Sequence, residues 1–261
     1  MCRVISIVNQ KGGVGKTAVA SNLGVGIALN GNRVLLIDAD PQGNLTSSMG
    51  VDNADEMEHT LATFLEREIN EDPVETGEYI MGNKEGLDLV PCDIRLAGMD
   101  YMIMNAMNRE HLLEAFISGV RDRYDYILID CSPSLNLMTI NVLTAADAAI
   151  IPVEASYLSM AGLQQLLSSI GSTKRKLNKK LSVEGIVINK VNTRTNHERD
   201  IVEKLREAYG SEIRIFRSMI PESVRAKECT AYGVSIFGHD PRGKVAKAYL
   251  DLTREVLRDG K

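Results

Sequence analysis

The sequence predicts an α/β fold: a doubly wound, mostly parallel sheet with helices on both faces. Three observations predict it. Short apolar runs recur along the chain, and helical patterns separate them, which is the order of a repeated strand–helix–strand unit. Several of those runs are continuously apolar rather than alternating, as strands are when helices cover both sides of a sheet. The composition, 44% hydrophobic and 25% charged over 261 residues, is that of a globular protein large enough for one sizeable core.

In chain order, strands are expected over residues 4–8, 34–37, 87–90, 126–129, 148–152, 184–188 and 213–216. Helices are expected over 16–29, 95–120, 136–145, 159–169, 197–209 and 241–257. The last has Asp240 placed as N-cap and Pro241 in the first turn, with Val245, Tyr249, Leu252 and Val256 on one face. Residues 52–85 are acidic with little periodicity, and read as surface loops around one short helix near 61–66. Residues 174–180 read as a lysine-rich loop. The length fits a single domain spanning 1–261.

Charge divides the chain. Residues 1–170 carry 10 Lys/Arg against 23 Asp/Glu, and residues 171–261 carry 20 against 12, within a net −5 for the whole. A basic C-terminal third beside an acidic remainder points to an anionic partner for residues 171–261, or to a solvated basic face. No run of about 18 apolar residues is present to cross a membrane. The N-terminus enters an apolar run directly, without the pattern of a signal peptide, so a cytoplasmic location is expected. Cys2, Cys92, Cys131 and Cys229 are scattered, as reduced thiols are.

The decisive segment is Val4-Ile5-Ser6-Ile7-Val8-Asn9-Gln10-Lys11-Gly12-Gly13-Val14-Gly15-Lys16-Thr17-Ala18. It reads as a strand, a glycine-rich turn and a helix start, the context in which such a turn holds phosphate. Glycines let backbone N–H groups approach phosphate oxygens without a Cβ in the way. The helix start adds its partial positive charge. Lys16 supplies a point charge for the β- and γ-phosphates, and the Thr17 hydroxyl is placed to ligate Mg²⁺. The strict pattern Gly-x-x-x-x-Gly-Lys-[Ser/Thr] fails at its first position, where Gln10 stands, and a second lysine, Lys11, follows it.

Lys11-Gly12-Gly13-Val14-Gly15-Lys16-Thr17 resembles the deviant Walker A motif of the ParA/MinD family of ATPases. Leu35-Leu36-Ile37-Asp38-Ala39-Asp40-Pro41-Gln42-Gly43-Asn44 resembles that family's switch I motif, and Tyr126-Ile127-Leu128-Ile129-Asp130 its Walker B strand. Cys131-Ser132-Pro133-Ser134-Leu135 is similar to the following switch, with Ser132 where a proline is common. Pro41-Gln42-Gly43-Asn44 and Ile220-Pro221-Glu222-Ser223-Val224-Arg225 look most like the Soj/ParA branch.

The resemblance implies ATP and Mg²⁺ as cofactors and assigns roles. Asp40 positions the attacking water; Asp38 supports the metal shell; Asp130 holds Mg²⁺ through water while Thr17 touches it. Lys11 reaches across a homodimer interface to the partner's phosphates. Asn189 and Pro221 match the adenine pocket, and Arg194 and Arg225 match DNA-contacting positions. Lys174, Arg175, Lys176, Lys179, Lys180, Arg217 and Lys227 are further DNA candidates from charge alone.

Three functions compete. The first is a nucleoid-associated switch for plasmid or chromosome partition, binding double-stranded DNA without sequence preference and stimulated by a centromere-binding, ParB-type activator. A chain that begins at its first strand lacks a helix-turn-helix extension, which argues against operator-specific repression. The second is a MinD-like membrane-surface ATPase, which needs a terminal amphipathic anchor; the apolar stripe of 241–257 is spent on the core. The third is a metabolic or redox enzyme, such as one bridging an iron–sulfur cluster through Cys92 and Cys131, or an amidating synthetase.

Overall fold

The computed structural model describes residues 2–155, 157–192 and 196–259, with no account of the side chains of 157–161, 196–198 and 259. Seven strands form one sheet in the order β3-β4-β2-β5-β1-β6-β7. They are β1 (Arg3–Ile7), β2 (Val34–Ala39), β3 (Met81–Gly82), β4 (Asp88–Val90), β5 (Tyr126–Cys131), β6 (Ala148–Glu154) and β7 (Ser182–Asn189). Every pairing is parallel except β3 on β4. The helices are α1 (Lys16–Leu29), α2 (Asn44–Ser48), α3 (Leu61–Ile69), α4 (Met99–Asn105), α5 (Leu112–Val120), α6 (Leu137–Ala145), α7 (Tyr157–Lys176), α8 (Asn196–Tyr209), α9 (Val224–Tyr232), α10 (Ile236–His239) and α11 (Lys244–Asp259).

Successive strand residues point to opposite faces, so each strand feeds two apolar layers. Val4, Leu35, Ile37, Ile127 and Ile129 meet α3 to α8 on one face. Ile5, Ile7, Leu36 and Leu128 meet α1, α2 and α9 to α11 on the other. Because both faces are covered, the strands read as continuous apolar runs. The chain leaves β1 toward β2 and later crosses from β5 to β6, on β1's other side. The order thus reverses at β1, and its C-terminal end opens on the crevice where ligands collect in such sheets.

Several expectations need correction. Residues 213–216 form no strand: Ile215 makes one isolated bridge to Ile186, through the Phe216 and Ile186 amides. The helix expected over 95–120 is broken into a 3-10 turn, α4 and α5, with Asn108 at φ +55 where the chain reverses. Asp240 caps the end of α10, and α11 starts at Lys244 after a turn at Pro241; its stripe of Val245, Tyr249, Leu252 and Val256 is buried as expected. Lys174–Lys176 belong to the last turn of α7 rather than a loop. Helix α9 and strand β3 had no clear pattern in the sequence.

The acidic stretch 52–85 is more integral than its composition indicates. Thr60 and Thr63 close a capping box at α3. Phe64, 1% exposed, packs edge-on against Tyr79 and Phe116. The far end of α2 meets the end of α9 backbone to backbone: a Cβ on Gly233 (φ +57) would lie 2.5 Å from the Cα of Gly50 (φ +80).

Phe64→Ala removes a ring that joins the acidic segment to the sheet layer. It is expected to cost about 3–5 kcal/mol of stability, read as a lowered denaturant midpoint. An unchanged midpoint would show the segment to be a separate surface excursion.

Candidate functional site

Loop 8–15, between β1 and α1, is held at its start from three sides. Asn9 donates through Nδ2 to the carbonyl of Pro152 in β6 (2.7 Å), and its Oδ1 accepts the Lys11 amide (3.0 Å). Gln10 donates through Nε2 to the carbonyl of Gly162 in α7 (2.8 Å). The residue that departs from the strict phosphate-loop pattern therefore ties the loop to a neighbouring helix, which glycine could not do.

The glycines behave as their positions require. Gly13 and Gly15 have φ of +78 and +88, where a side chain is strained. A Cβ on Gly12 or Gly13 would meet nothing, while one on Gly15 would sit 2.1 Å from Asn189 Nδ2. Asn189 donates from that nitrogen to the carbonyl of Val14 (2.8 Å), and its Oδ1 accepts the Lys190 amide (3.0 Å). In a trans peptide the N–H opposes the C=O. Pinning the Val14 carbonyl to β7 thus turns the Gly15 N–H away from it.

Four ionisable groups follow the loop. Lys16 opens α1, is 6% exposed, and its ammonium donates to the Lys11 carbonyl at 3.5 Å. Thr17 donates through Oγ1 to Asp130 Oδ2 (2.6 Å) at the end of β5. Asp130 Oδ1 is buried with no hydrogen-bond partner among the described residues. Asp38 in β2 is fully buried, and its oxygens accept the Asp40 amide (3.1 Å) and both the amide and hydroxyl of Thr46 (2.8 and 2.7 Å). It anchors the turn that presents Asp40, which is 6% exposed and lines the cavity.

Burial dominates the electrostatics. It pushes the Asp130 carboxyl well above the ordinary range, with the Asp38 charge adding to it and Thr17 and Lys16 opposing. Burial raises Asp38 to about 6 despite the Thr46 hydrogen bonds, and lowers Lys16. Carboxylates crowded at strand ends, one with an orphaned oxygen beside a threonine hydroxyl, form a donor set that a hard divalent cation satisfies.

A cavity of about 390 Å³ runs from loop 8–15 to α9. Its polar end holds Gly12, Gly13, Gly15, Lys16, Thr17, Ala18 and Asp40. Its other end is walled by Ile220, Pro221, Ala226, Cys229, Val234 and Tyr249. Asn189 and Pro221 thus share one cavity with the phosphate loop. The walls supplied by α9 were missed, because its sequence VRAKECTAY shows no apolar stripe. Lys190 was missed too; its positive φ of +55 carries no signature in a lysine.

Other expected residues lie elsewhere. Arg194 falls outside the described residues. Arg225 is exposed at the start of α9, 3.7 Å from Glu228, and Lys227 beside it pairs with Glu222 at 2.9 Å. Lys174, Arg175, Lys176, Lys179 and Lys180 are exposed, but they precede β7 and so sit at the opposite end of the sheet from the loop. Cys92 and Cys131 are 0% and 1% exposed in the apolar layer facing α3 to α8, and burial raises both thiols. Among the described residues no helix is long and apolar enough to cross a membrane, and no cluster of three or more His, Cys, Asp or Glu is grouped to hold a metal unaided.

A strand, a glycine-rich turn, a Lys-Thr helix start and a second strand-end Asp in a reversing parallel sheet define a P-loop nucleotide-binding protein. Comparison with known proteins narrows this. Residues 2–183 match a family described as AAA domain. The sporulation initiation inhibitor protein Soj of Bacillus subtilis is 39% identical over 261 residues, all of both chains. The chromosome partitioning protein ParA of Caulobacter vibrioides is 36% identical, covering 98% of this chain and 94% of its own. Among solved structures, cobyrinic acid a,c-diamide synthase of Mycobacterium smegmatis with bound ATP analog and magnesium superposes with TM-score 0.86 at 31% identity, covering 99% and 95%. A putative plasmid partition protein of Borrelia burgdorferi bound to AMPPNP shares the fold, with TM-score 0.80 at 24% identity over 99% and 100%. The chain belongs to the ParA/MinD family of deviant Walker A P-loop ATPases, in its Soj/ParA branch.

Gly15→Ala forces a methyl onto Asn189 in a backbone region that disfavours it. The variant is expected to lose about 1–3 kcal/mol in thermal or denaturant unfolding, and to expose loop 8–15 to protease. Wild-type protection in the variant would mean that Asn189 does not fix the loop.

Proposed function

We propose that this chain is a partition ATPase: an ATP-gated homodimer that binds double-stranded DNA without sequence preference and leaves it after hydrolysis. The observation that carries the reading is the single cavity in which the phosphate loop, Asp40, Asp130-paired Thr17 and the apolar wall of α9 converge. The full-length similarity to proteins named Soj and ParA supports the partition role.

Each residue then has a task. The amides of Gly12 to Ala18, including Val14, cradle the phosphates, and Lys16 adds charge at the β- and γ-positions. Thr17 and Asp130 would hold Mg²⁺, with Asp38 steadying the site from behind, its own oxygens being taken by Thr46 and Asp40. The metal supplies charge neutralisation on the phosphates when bound. Pro221 faces the base, while Asn189, its amide held by Val14 and Lys190, supports the pocket from the loop side. Asp40 orients the attacking water, and Lys11 acts on the partner's phosphoryl group, so turnover requires two loaded subunits. Such a timer turns over slowly alone and is accelerated by a ParB-type activator.

DNA contact needs cations spaced to meet phosphates, not a base-reading motif. Arg194 and Arg225 are the leading candidates. The basic balance of residues 171–261 supports an anionic partner, and pairing two such surfaces in the dimer multiplies weak contacts. These properties support a nucleoid-associated, cytoplasmic location for the ATP-bound protein.

Lys11→Ala should abolish ATP-dependent dimers in light scattering while ATP still binds; a persisting ATP dimer removes Lys11 from the interface. Asp40→Ala should trap ATP and co-sediment with duplex DNA in ATP but not ADP. Its log affinity should fall linearly with log salt, and pelleting with anionic liposomes instead would move the protein to the membrane-positioning branch.

A further inference from the structure

Three lysines converge on the phosphate loop, and only Lys16 has strand-end aspartates for company. The other two share one carboxylate. Lys11 Nζ lies 3.4 Å from Glu154 Oε2, and Lys190 Nζ lies 3.3 Å from Glu154 Oε1. Lys190 also donates to the carbonyl of Gly13. Glu154 ends β6 and Lys190 follows β7, so two neighbouring strands bring these charges beside the phosphate loop.

The backbone is bent to achieve this. Lys190 sits at φ +55, uncommon for a residue with a long side chain, with its amide held by Asn189. The next residue, Val191, rejoins the fold by bonding to Ile220. The kink sends the lysine back across the loop, where its ammonium fixes the Gly13 carbonyl and, by the planarity of the peptide, turns the Val14 N–H the other way. Asn189 does the same one residue later. Two consecutive amides are thereby set as an anion-binding pair before any anion arrives.

We propose that Glu154 is a built-in stand-in for a phosphate group. Its two oxygens each take one lysine at the loop, as two phosphate oxygens would; the chain's own nucleotide must displace it from Lys190, and the partner's from Lys11. This rests on the nucleotide-binding reading above. It makes Lys190 a positioning residue for phosphate and Glu154 a brake on nucleotide entry. The brake acts twice with the same sign: it occupies Lys190, and its own negative charge opposes the phosphates. All three side chains are a quarter to two-fifths exposed, so each pair is weak and the brake is mild, worth between about two- and tenfold in affinity.

The test is a titration of fluorescently labelled ATP and ADP with Mg²⁺ into wild type and Glu154→Gln at low and high salt, after equal thermal melts establish equal folding. Glu154→Gln should bind ATP about two- to tenfold more tightly at low salt, and the gain should shrink at high salt. Glu154→Ala should shift the same way, which guards against an effect peculiar to glutamine, and Lys190→Ala should bind both nucleotides more weakly. Unchanged or weaker binding by Glu154→Gln and Glu154→Ala, with wild type binding normally, overturns the stand-in. Wild-type protein that binds neither nucleotide overturns the ATPase reading itself, and this proposal with it.

Discussion

Everything at the cavity depends on the side-chain amides that fasten loop 8–15 to its surroundings. Asn9 reaches β6, Gln10 reaches α7, and Asn189 reaches back from β7 to Val14. A glycine-rich loop is entropically expensive to order, and nothing in its own sequence selects the conformation that binds phosphate. Neutral amides do so without adding charge at the place where a polyanion must enter. Lys190, a cation that shares this task, carries its own counter-charge in Glu154.

The carboxylates obey the opposite logic. Asp38, Asp40 and Asp130 stand at the ends of adjacent parallel strands, where a buried charge is costly. Asp38 escapes part of the cost by accepting three hydrogen bonds, and in doing so it fixes the start of α2. Asp130 escapes less of it, with one oxygen satisfied by Thr17 and the other orphaned. The fold thus spends stability on a site that a cation completes.

Much of this was legible in the sequence, and the reasons are local. A continuous apolar run followed by Lys-Gly-Gly-Val-Gly-Lys-Thr leaves few alternatives to strand, loop and helix, and β1, α1 and the loop stand where the pattern placed them. The strand-end aspartates were equally plain. What escaped were features set by tertiary contact. Residues 213–216 have strand composition but bond to β7 only at Ile186. The acidic stretch 52–85 hides Phe64 and Tyr79 among charges, so its buried face has no visible period. Helix α9 shows its apolar side only to the cavity, and Lys190 owes its position to a backbone kink that no residue type announces.

The contact between Gly50 and Gly233 has a mechanical meaning. Side chains deform and absorb small displacements by changing rotamer; two bare backbones in contact cannot. The turn that presents Asp40 runs into α2, Gly50 lies two residues beyond the end of α2, and it abuts Gly233 at the end of α9, whose first turn carries Arg225. The two glycines make the joint a bearing surface, in which neither α2 nor α9 can shift toward the other without moving it.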